Sequence, residues 1–434
     1  MFWKKVSRVK EIHLKGLDEV VYEDVCENGL RMYIWVNKRI NTFKASLIFK
    51  VGAENTSFKL GKNDYTVPFG TAHYLEHILC KNSDGSSLLG RFDQFGCYSN
   101  AATYADKTAY EFVGSENFFP CLELLLDAIQ EKEFNQEYFE AERGPILEEA
   151  RMRKDDANRL NYFGVNNILF HNYPNRISGL GRMEDIKSIK LEDLETLYRT
   201  FYHPENTILV VTGNVSPLEV AEFVKENQKK KTFPKWNKPK LPNYREPHSV
   251  VKRYEEVFAN AQIPKVTVAV KVPLNDLSKT NMVLLLDILG LVLVSNFGST
   301  SYFREELIAK KMVVSLQTSV EWERKYIILK VMAKTKYPKE VVTVLEEKMR
   351  HLEILEDDIF RKIKSEIANL VLSYEDPEYV NDLLAYVLVK YGKIVSNEKE
   401  ILESITLEDI QKVMNSISFD EMSTFVIYPL KKDD

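Results

Sequence analysis

The chain has 434 residues, 44% of them hydrophobic and 28% charged, with a formal net charge of −5. That length asks for two cores rather than one, and the slight acidity removes the electrostatic case for a nucleic-acid binder, which needs a basic face. No membrane association is expected: MFWKKVSRVKE lacks the apolar stretch of a secretory signal, and MVLLLDILGLVLV (282–294) is interrupted by Asp287 and too short to span a bilayer.

Along the chain, RMYIWV (31–36) and ASLIFKV (45–51) are rich in β-branched and aromatic residues and predict strands. FGTAHYLEHILCK (69–81) predicts an amphipathic helix with Ala72, Leu75, Ile78 and Leu79 on its buried side. AYEFVG (109–114) and TILVVTG (207–213) predict further strands, and 118–131 and 191–202 predict helices. The stretch 229–249, KKKTFPKWNKPKLPNYREPHS, has four prolines and little periodicity, which marks an exposed linker. Beyond it KVTVAVKV (265–272), YIILKVMA (326–333) and STFVIY (423–428) predict strands, with helices at 339–351 and 356–373.

The two halves echo each other. SIKLEDLETLYRTFYHPENTILVVTGNV begins at Ser188 and SITLEDIQKVMNSISFDEMSTFVIYPL at Ser404, and YFEAERGPILEEARMRKDD resembles IFRKIKSEIANLVLSYEDP in pattern. A repeat of that length indicates duplicated domains rather than a solenoid. The expected fold class is therefore α+β: two homologous α/β-sandwich domains with largely antiparallel sheets, residues 1–228 and 250–434, joined by the linker 229–249.

Of seven histidines, His73 and His77 lie one helical turn apart with Glu76 on the same side. Imidazoles at that spacing converge on one ion, and a catalytic zinc needs a third protein ligand and an open position for water. The acidic segment 140–156 offers Glu149 as that ligand and Glu142, two turns earlier, as a group that orients it or a histidine. Gly144-Pro145 falls between the two glutamates, so the helix either bends there or restarts with Pro145 in its first turn. Glu76 is placed to take a proton from the attacking water and return it to the leaving amine. Cys26, Cys80, Cys97 and Cys121 show no C-x-x-C spacing and are expected to be reduced thiols of a cytoplasmic protein, Cys80 included. His13, His171, His203, His248 and His351 are expected to be structural.

These segments resemble the inverzincin metallopeptidases, the family of pitrilysin, insulin-degrading enzyme and the mitochondrial processing peptidase. The resemblance runs through GTAHYLEH, the E-R-x-x-I-x-x-E stretch from Glu142 to Glu149, YHPENTILVVTGNV (202–215) and QFGCYSNAATYADKTAYEF (94–112), and covers essentially the whole chain. It is nearest to small bacterial members with a single pair of domains. It implies a Zn2+-dependent endopeptidase that hydrolyses small or unstructured peptides between two hinged domains of a clamshell. It also implies that Asn100, Ala101, Ala102 and Thr103 hold the peptide as an added strand. In one feature the chain departs from the family. Where active members carry an arginine and a later tyrosine that grip substrate and oxyanion, this chain has Leu307 and Val314. The departure leads to the expectation of a heterodimer in which a homologous chain supplies the Arg/Tyr pair, with a homodimer, or a non-catalytic peptide-binding or assembly subunit, as alternatives.

Overall fold

The computed structural model describes residues 9–81, 85–274 and 281–430. The chain begins with β1 (Lys10–Leu14), β2 (Glu19–Val25), β3 (Arg31–Val36), β4 (Phe43–Phe49) and a small hairpin of β5 (Ser57–Leu60) and β6 (Asn63–Thr66). Next come α1 (Thr71–Leu79), α2 (Leu89–Asp93), β7 (Tyr98–Thr103), β8 (Thr108–Gly114), α3 (Phe118–Gln130), α4 (Gln136–Lys154) and α5 (Ala157–Leu169). The first half closes with α6 (Met183–Ser188), α7 (Leu191–Phe201), β9 (Thr207–Gly213) and α8 (Pro217–Lys229). The second half holds β10 (Tyr254–Ala259), β11 (Lys265–Pro273), α9 (Met282–Phe297), α10 (Tyr302–Ala309), β12 (Ser315–Glu323), β13 (Tyr326–Lys334) and α11 (Pro338–Arg350). It ends with α12 (Glu356–Ser373), α13 (Pro377–Tyr391), α14 (Glu398–Ser404), α15 (Leu407–Asn415) and β14 (Met422–Pro429).

The first sheet has seven strands in the order β1-β2-β3-β9-β4-β8-β7, antiparallel except for β3 with β9. The second has five, β10-β14-β11-β13-β12, antiparallel except for β10 with β14. Mixed α/β units with mainly antiparallel sheets are thus the architecture that the strand and helix patterns imply.

The compact units follow the repeat with one exchange. The first gathers Met1–Ala150, Ile177–Asn243 and Val371–Asn397; the second gathers Arg151–Arg176, Tyr244–Leu370 and Glu398–Asp434. A division at 229–249 describes the order of the repeat along the sequence, and the fold adds to it a reciprocal trade of helices. α13, from the second half, packs on β4 and β9, and α5, from the first half, packs on β11 and β14.

Polar side chains fix both traded helices. On α13, the fully buried Asn381 donates to the Lys44 and Val210 carbonyls and accepts from the Ser46 hydroxyl at 2.7 Å, while Asp382 meets Lys44 at 2.8 Å. On α5, Asn161 accepts from Thr267 and Asn158 accepts from Lys265. Just past α5, the backbone N–H groups of His171 and Asn172 donate to the Glu246 carboxylate, whose partner is Lys271 at 2.7 Å. Both members of that pair are essentially out of water (0% and 1% exposed). The stretch 229–249 is therefore not simply an exposed linker: its last residues are anchored because a buried ammonium must be neutralised and hydrogen-bonded.

The stretch Met282–Ala309 reaches a mean hydropathy of 2.0 and is long enough by count to cross a bilayer. It is two helices separated around Gly298, and α9 buries Leu285, Leu289, Val292 and Phe297 inside the second unit, as a core helix does.

Candidate functional site

α1 is preceded by its N-cap Gly70, whose φ of +90° a side chain rarely adopts and where a Cβ would lie 2.4 Å from the Leu180 carbonyl oxygen. Ala72, Leu75, Ile78 and Leu79 are buried as the apolar stripe predicts, which turns His73, Glu76 and His77 to the other side.

α4 is one continuous helix with Pro145 inside it. Ala141, Gly144 and Pro145 are all exposed, so the carbonyl that loses its partner to the proline faces water and the helix persists. Glu142 and Glu149 consequently stay on one side. Two contacts set α4 against α1: Tyr74 stacks on Phe139 at 4.8 Å between ring centroids, and its hydroxyl donates to the Phe139 carbonyl. Arg143 then locks the helix by donating to the carbonyls of Ile186 (2.8 Å) and Ile189 (3.0 Å) at the end of α6.

This packing brings together the distant parts of the motif. Glu149 Oε2 lies 3.5 Å from His73 Nε2 and 3.3 Å from His77 Nε2. One donor atom from each of His73, His77 and Glu149 falls within 4.8 Å of the others, the one such group among the described residues. Behind it, His77 Nδ1 meets Glu142 Oε1 at 3.0 Å, and Glu142 Oε2 meets Lys81 at 3.2 Å. Burial pulls the His77 pKa down, but bonds to Glu142 and Glu149 and the charge of Glu76 outweigh it and lift the group to about 9. The His77 bond, helped by Lys81 against burial, lowers Glu142 below the usual carboxylate range.

Glu76 is 8% exposed. Burial raises its pKa, opposed by Thr103 and His77. Thr103 donates its hydroxyl to Glu76 Oε2 at 2.5 Å. Sequence reasoning assigned Thr103 only to peptide binding; nothing in the spacing signalled this bond, because the two residues meet through sheet geometry. β7, which carries Asn100, Ala101, Ala102 and Thr103, is an edge strand of the seven-stranded sheet, paired among the described residues with β8 alone.

The remaining candidates take quiet places. Cys80 packs against the apolar core and burial drives its thiol pKa well up, so it offers no thiolate. His203 donates from Nε2 to the Pro234 carbonyl and accepts the Glu205 N–H at Nδ1, which makes it a structural cap. Leu307 is buried on α10, while Val314 is largely exposed. Ile363 and Leu370, where the repeat places the counterparts of Glu142 and Glu149, are buried apolar residues. A cavity of about 990 Å³ elsewhere in the first unit, lined by Cys26, His203, Lys225 and Lys231 among others, shares no residue with the histidine pair.

Two units share a five-strand order, and the first gathers two imidazoles and a carboxylate beside a buried glutamate, a group of the class that can hold a metal ion. The chain belongs to peptidase family M16, the insulinase family. Residues 63–173 match the family model described as Insulinase (Peptidase family M16), and residues 188–367 match the model described as Peptidase M16 inactive domain. The chain is 30% identical over 436 residues to the uncharacterized zinc protease YmfH of Bacillus subtilis, covering 97% of this chain and 99% of that protein. It is 26% identical over 425 residues to zinc protease PqqE of Helicobacter pylori, covering 92% and 90%. The crystal structure of a putative M16-like peptidase from Alicyclobacillus acidocaldarius superposes with a TM-score of 0.88 at 22% identity, covering 96% of this chain and all of that one.

Proposed function

We propose that this protein is a zinc-dependent endopeptidase of the inverzincin type, the metal-bearing subunit of a two-chain enzyme, acting on small or unstructured peptides in a reducing, cytoplasmic compartment. The convergence of His73, His77 and Glu149 from α1 and α4 carries the reading. Two imidazole nitrogens, stripped of any proton as the ion binds, and one carboxylate oxygen are a donor set that suits zinc and leaves a position free, and the similarity to named zinc proteases supports the choice of metal. The four thiols are free, in keeping with a reducing compartment.

Zinc, when bound, acidifies water and polarises a peptide carbonyl. Glu76 accepts the proton of the attacking water and delivers it to the departing amine; its burial favours holding that proton between the two steps. Thr103 keeps the Glu76 carboxylate fixed through Oε2. Glu142 holds His77 by Nδ1 so that Nε2 is the donor offered to the ion. The edge of β7 at Asn100–Thr103 takes the peptide as an added antiparallel or parallel strand, binding main chain with little demand on side chains.

Leu307 and Val314 donate no hydrogen bond to developing negative charge, which is why a homologous chain bringing an Arg/Tyr pair, rather than a second copy of this one, is the proposed partner. The same two residues favour the second reading, a non-catalytic peptide-binding subunit. Metal analysis and mixing separate them. The peptidase reading expects about one zinc per chain, loss of peptide hydrolysis in Glu76→Gln with zinc retained, and a large gain on adding the homologous chain. Zinc-loaded Glu76→Gln that still cleaves a quenched peptide at the parental rate overturns the assignment of Glu76. Purified protein with no affinity for zinc supports the second reading.

A further inference from the structure

The proposed mechanism leaves one charged neighbour of the site without a task. Lys81 follows Cys80, the C-cap of α1, its N–H on the Ile78 carbonyl at 3.2 Å and its own carbonyl receiving the Lys132 ammonium. With the backbone held at both groups, the side chain reaches across to α4, where Nζ lies 3.2 Å from Glu142 Oε2. The other oxygen of the same carboxylate is the one on His77 Nδ1, at 3.0 Å. Glu142 is 8% exposed, so little water competes for either oxygen.

Two effects of Lys81 on a bound cation oppose each other. As a positive charge near a divalent ion it weakens binding through plain repulsion. As a clamp it removes the rotational freedom of the Glu142 carboxylate and so fixes the His77 ring with Nε2 facing Glu149 Oε2, 3.3 Å away. Repulsion acts at the longer distance, across Glu142 and the imidazole, while the clamp acts through an ion pair and a hydrogen bond of ordinary length that meet on a mostly buried carboxylate. The group bonded to a metal-binding histidine is commonly worth 10–100-fold in metal affinity.

We propose that Lys81 is a positioning residue of the metal centre: by holding Glu142 it holds His77 in its ligating orientation, and its net effect is to tighten zinc binding. The inference rests on the reading of His77 as a ligand.

The test is zinc affinity of the full chain, measured by competition with a chromophoric chelator at fixed pH and ionic strength, so that no substrate or partner is needed. Lys81→Met should weaken zinc about tenfold, the low end of the range for such partners. Lys81→Arg, whose guanidinium reaches the same carboxylate, should restore most of it. In a Glu142→Ala background Lys81→Met should cost nothing further. Affinity unchanged or tighter in Lys81→Met means that repulsion wins, and the proposal fails. A loss that persists in the Glu142→Ala background, or metal-free Lys81→Met unfolding well below the parent, overturns it as well, the first by excluding Glu142 as intermediary and the second by showing a general structural role. His77→Ala tells the two failures apart: if it keeps the parent's zinc affinity, the ligand assignment itself is wrong.

Discussion

The two units are one scaffold put to different uses. Strands β3-β9-β4-β8-β7 of the first correspond in order and direction to β10-β14-β11-β13-β12 of the second, and in each the parallel pair lies at the same place. Each sheet also takes a helix from the opposite half of the sequence, α13 on one and α5 on the other. The difference lies in two helices. α1 carries His73, Glu76 and His77 after β4, whereas α9, after β11, fills its inward positions with Leu285, Ile288, Leu289 and Val292. α4 carries Glu142 and Glu149, whereas α12 has Ile363 and Leu370, 6% and 9% exposed. A metal-type site thus occupies volume that the second unit gives to hydrophobic packing. Among the described residues only the first can gather a ligand set.

The comparison is tested most forcefully at the anchors of the traded helices. Lys271→Met leaves the Glu246 carboxylate buried without its counter-charge, which costs about 3–5 kcal/mol; urea unfolding should show it, and a loss under about 1 kcal/mol would mean that the Lys271–Glu246 pair does not anchor the end of α5. The corresponding change on the first sheet, Lys44→Met, should cost less, because its partners Asp382 and Glu111 both keep contact with water, Asp382 being largely exposed. Next in size is a pH-dependent effect inside α9. Burial, with the charges of Glu398 and Glu366, raises Asp287 to about 7. Between its unfolded pKa and that value the unfolded chain is ionised while the folded chain keeps the proton, so this group makes stability fall as pH rises across the window. Asp287→Asn should therefore gain on the order of 2–4 kcal/mol over the parent at pH 8 and almost nothing below pH 4. Equal gains at both pH values would remove Asp287 from the account. Asn381→Ala, which removes the bonds to the Lys44 and Val210 carbonyls and to the Ser46 hydroxyl under α13, should cost about 1–3 kcal/mol by the same unfolding measurement. The smallest change is in turnover: Thr103→Val should lower kcat of the active complex about tenfold with KM little altered and zinc retained, because a lost hydrogen bond to a charged group is worth about 1.5–3 kcal/mol at most. A rise in KM alone would return Thr103 to the role of a peptide contact.

Much of this fold could be read from residue pattern. The strands at 31–36, 207–213, 265–272 and 423–428 and the helices at 118–131, 191–202 and 356–373 are within a residue or two of β3, β9, β11, β14, α3, α7 and α12. They could be read because long runs of β-branched residues and regular apolar stripes bind their own conformation to burial. β7 was harder to see as a strand in its own right, since its small polar residues have low strand preference and sit at a sheet edge. The helix trade was hidden for a different reason: an amphipathic helix states that it will be covered, but not by which sheet. Lys271 and Glu246 were hidden likewise, one inside a strand pattern and the other inside a proline-rich run, and only the fold brings them together. At the site, the helical spacing of His73, Glu76 and His77 needed nothing but the sequence. The placing of Glu149 opposite them depended on α4 surviving Pro145, and the bonds from Thr103 and Lys81 depended on packing between elements far apart in the chain.

The central claim is a single ion held by His73, His77 and Glu149. Anomalous diffraction at the zinc edge from zinc-loaded crystals tests it most directly. One strong peak is expected about 2.0–2.2 Å from a nitrogen of each histidine and an oxygen of Glu149, with no fourth protein ligand. A peak at any other place in the chain, or a sphere closed by a fourth side chain, would contradict it.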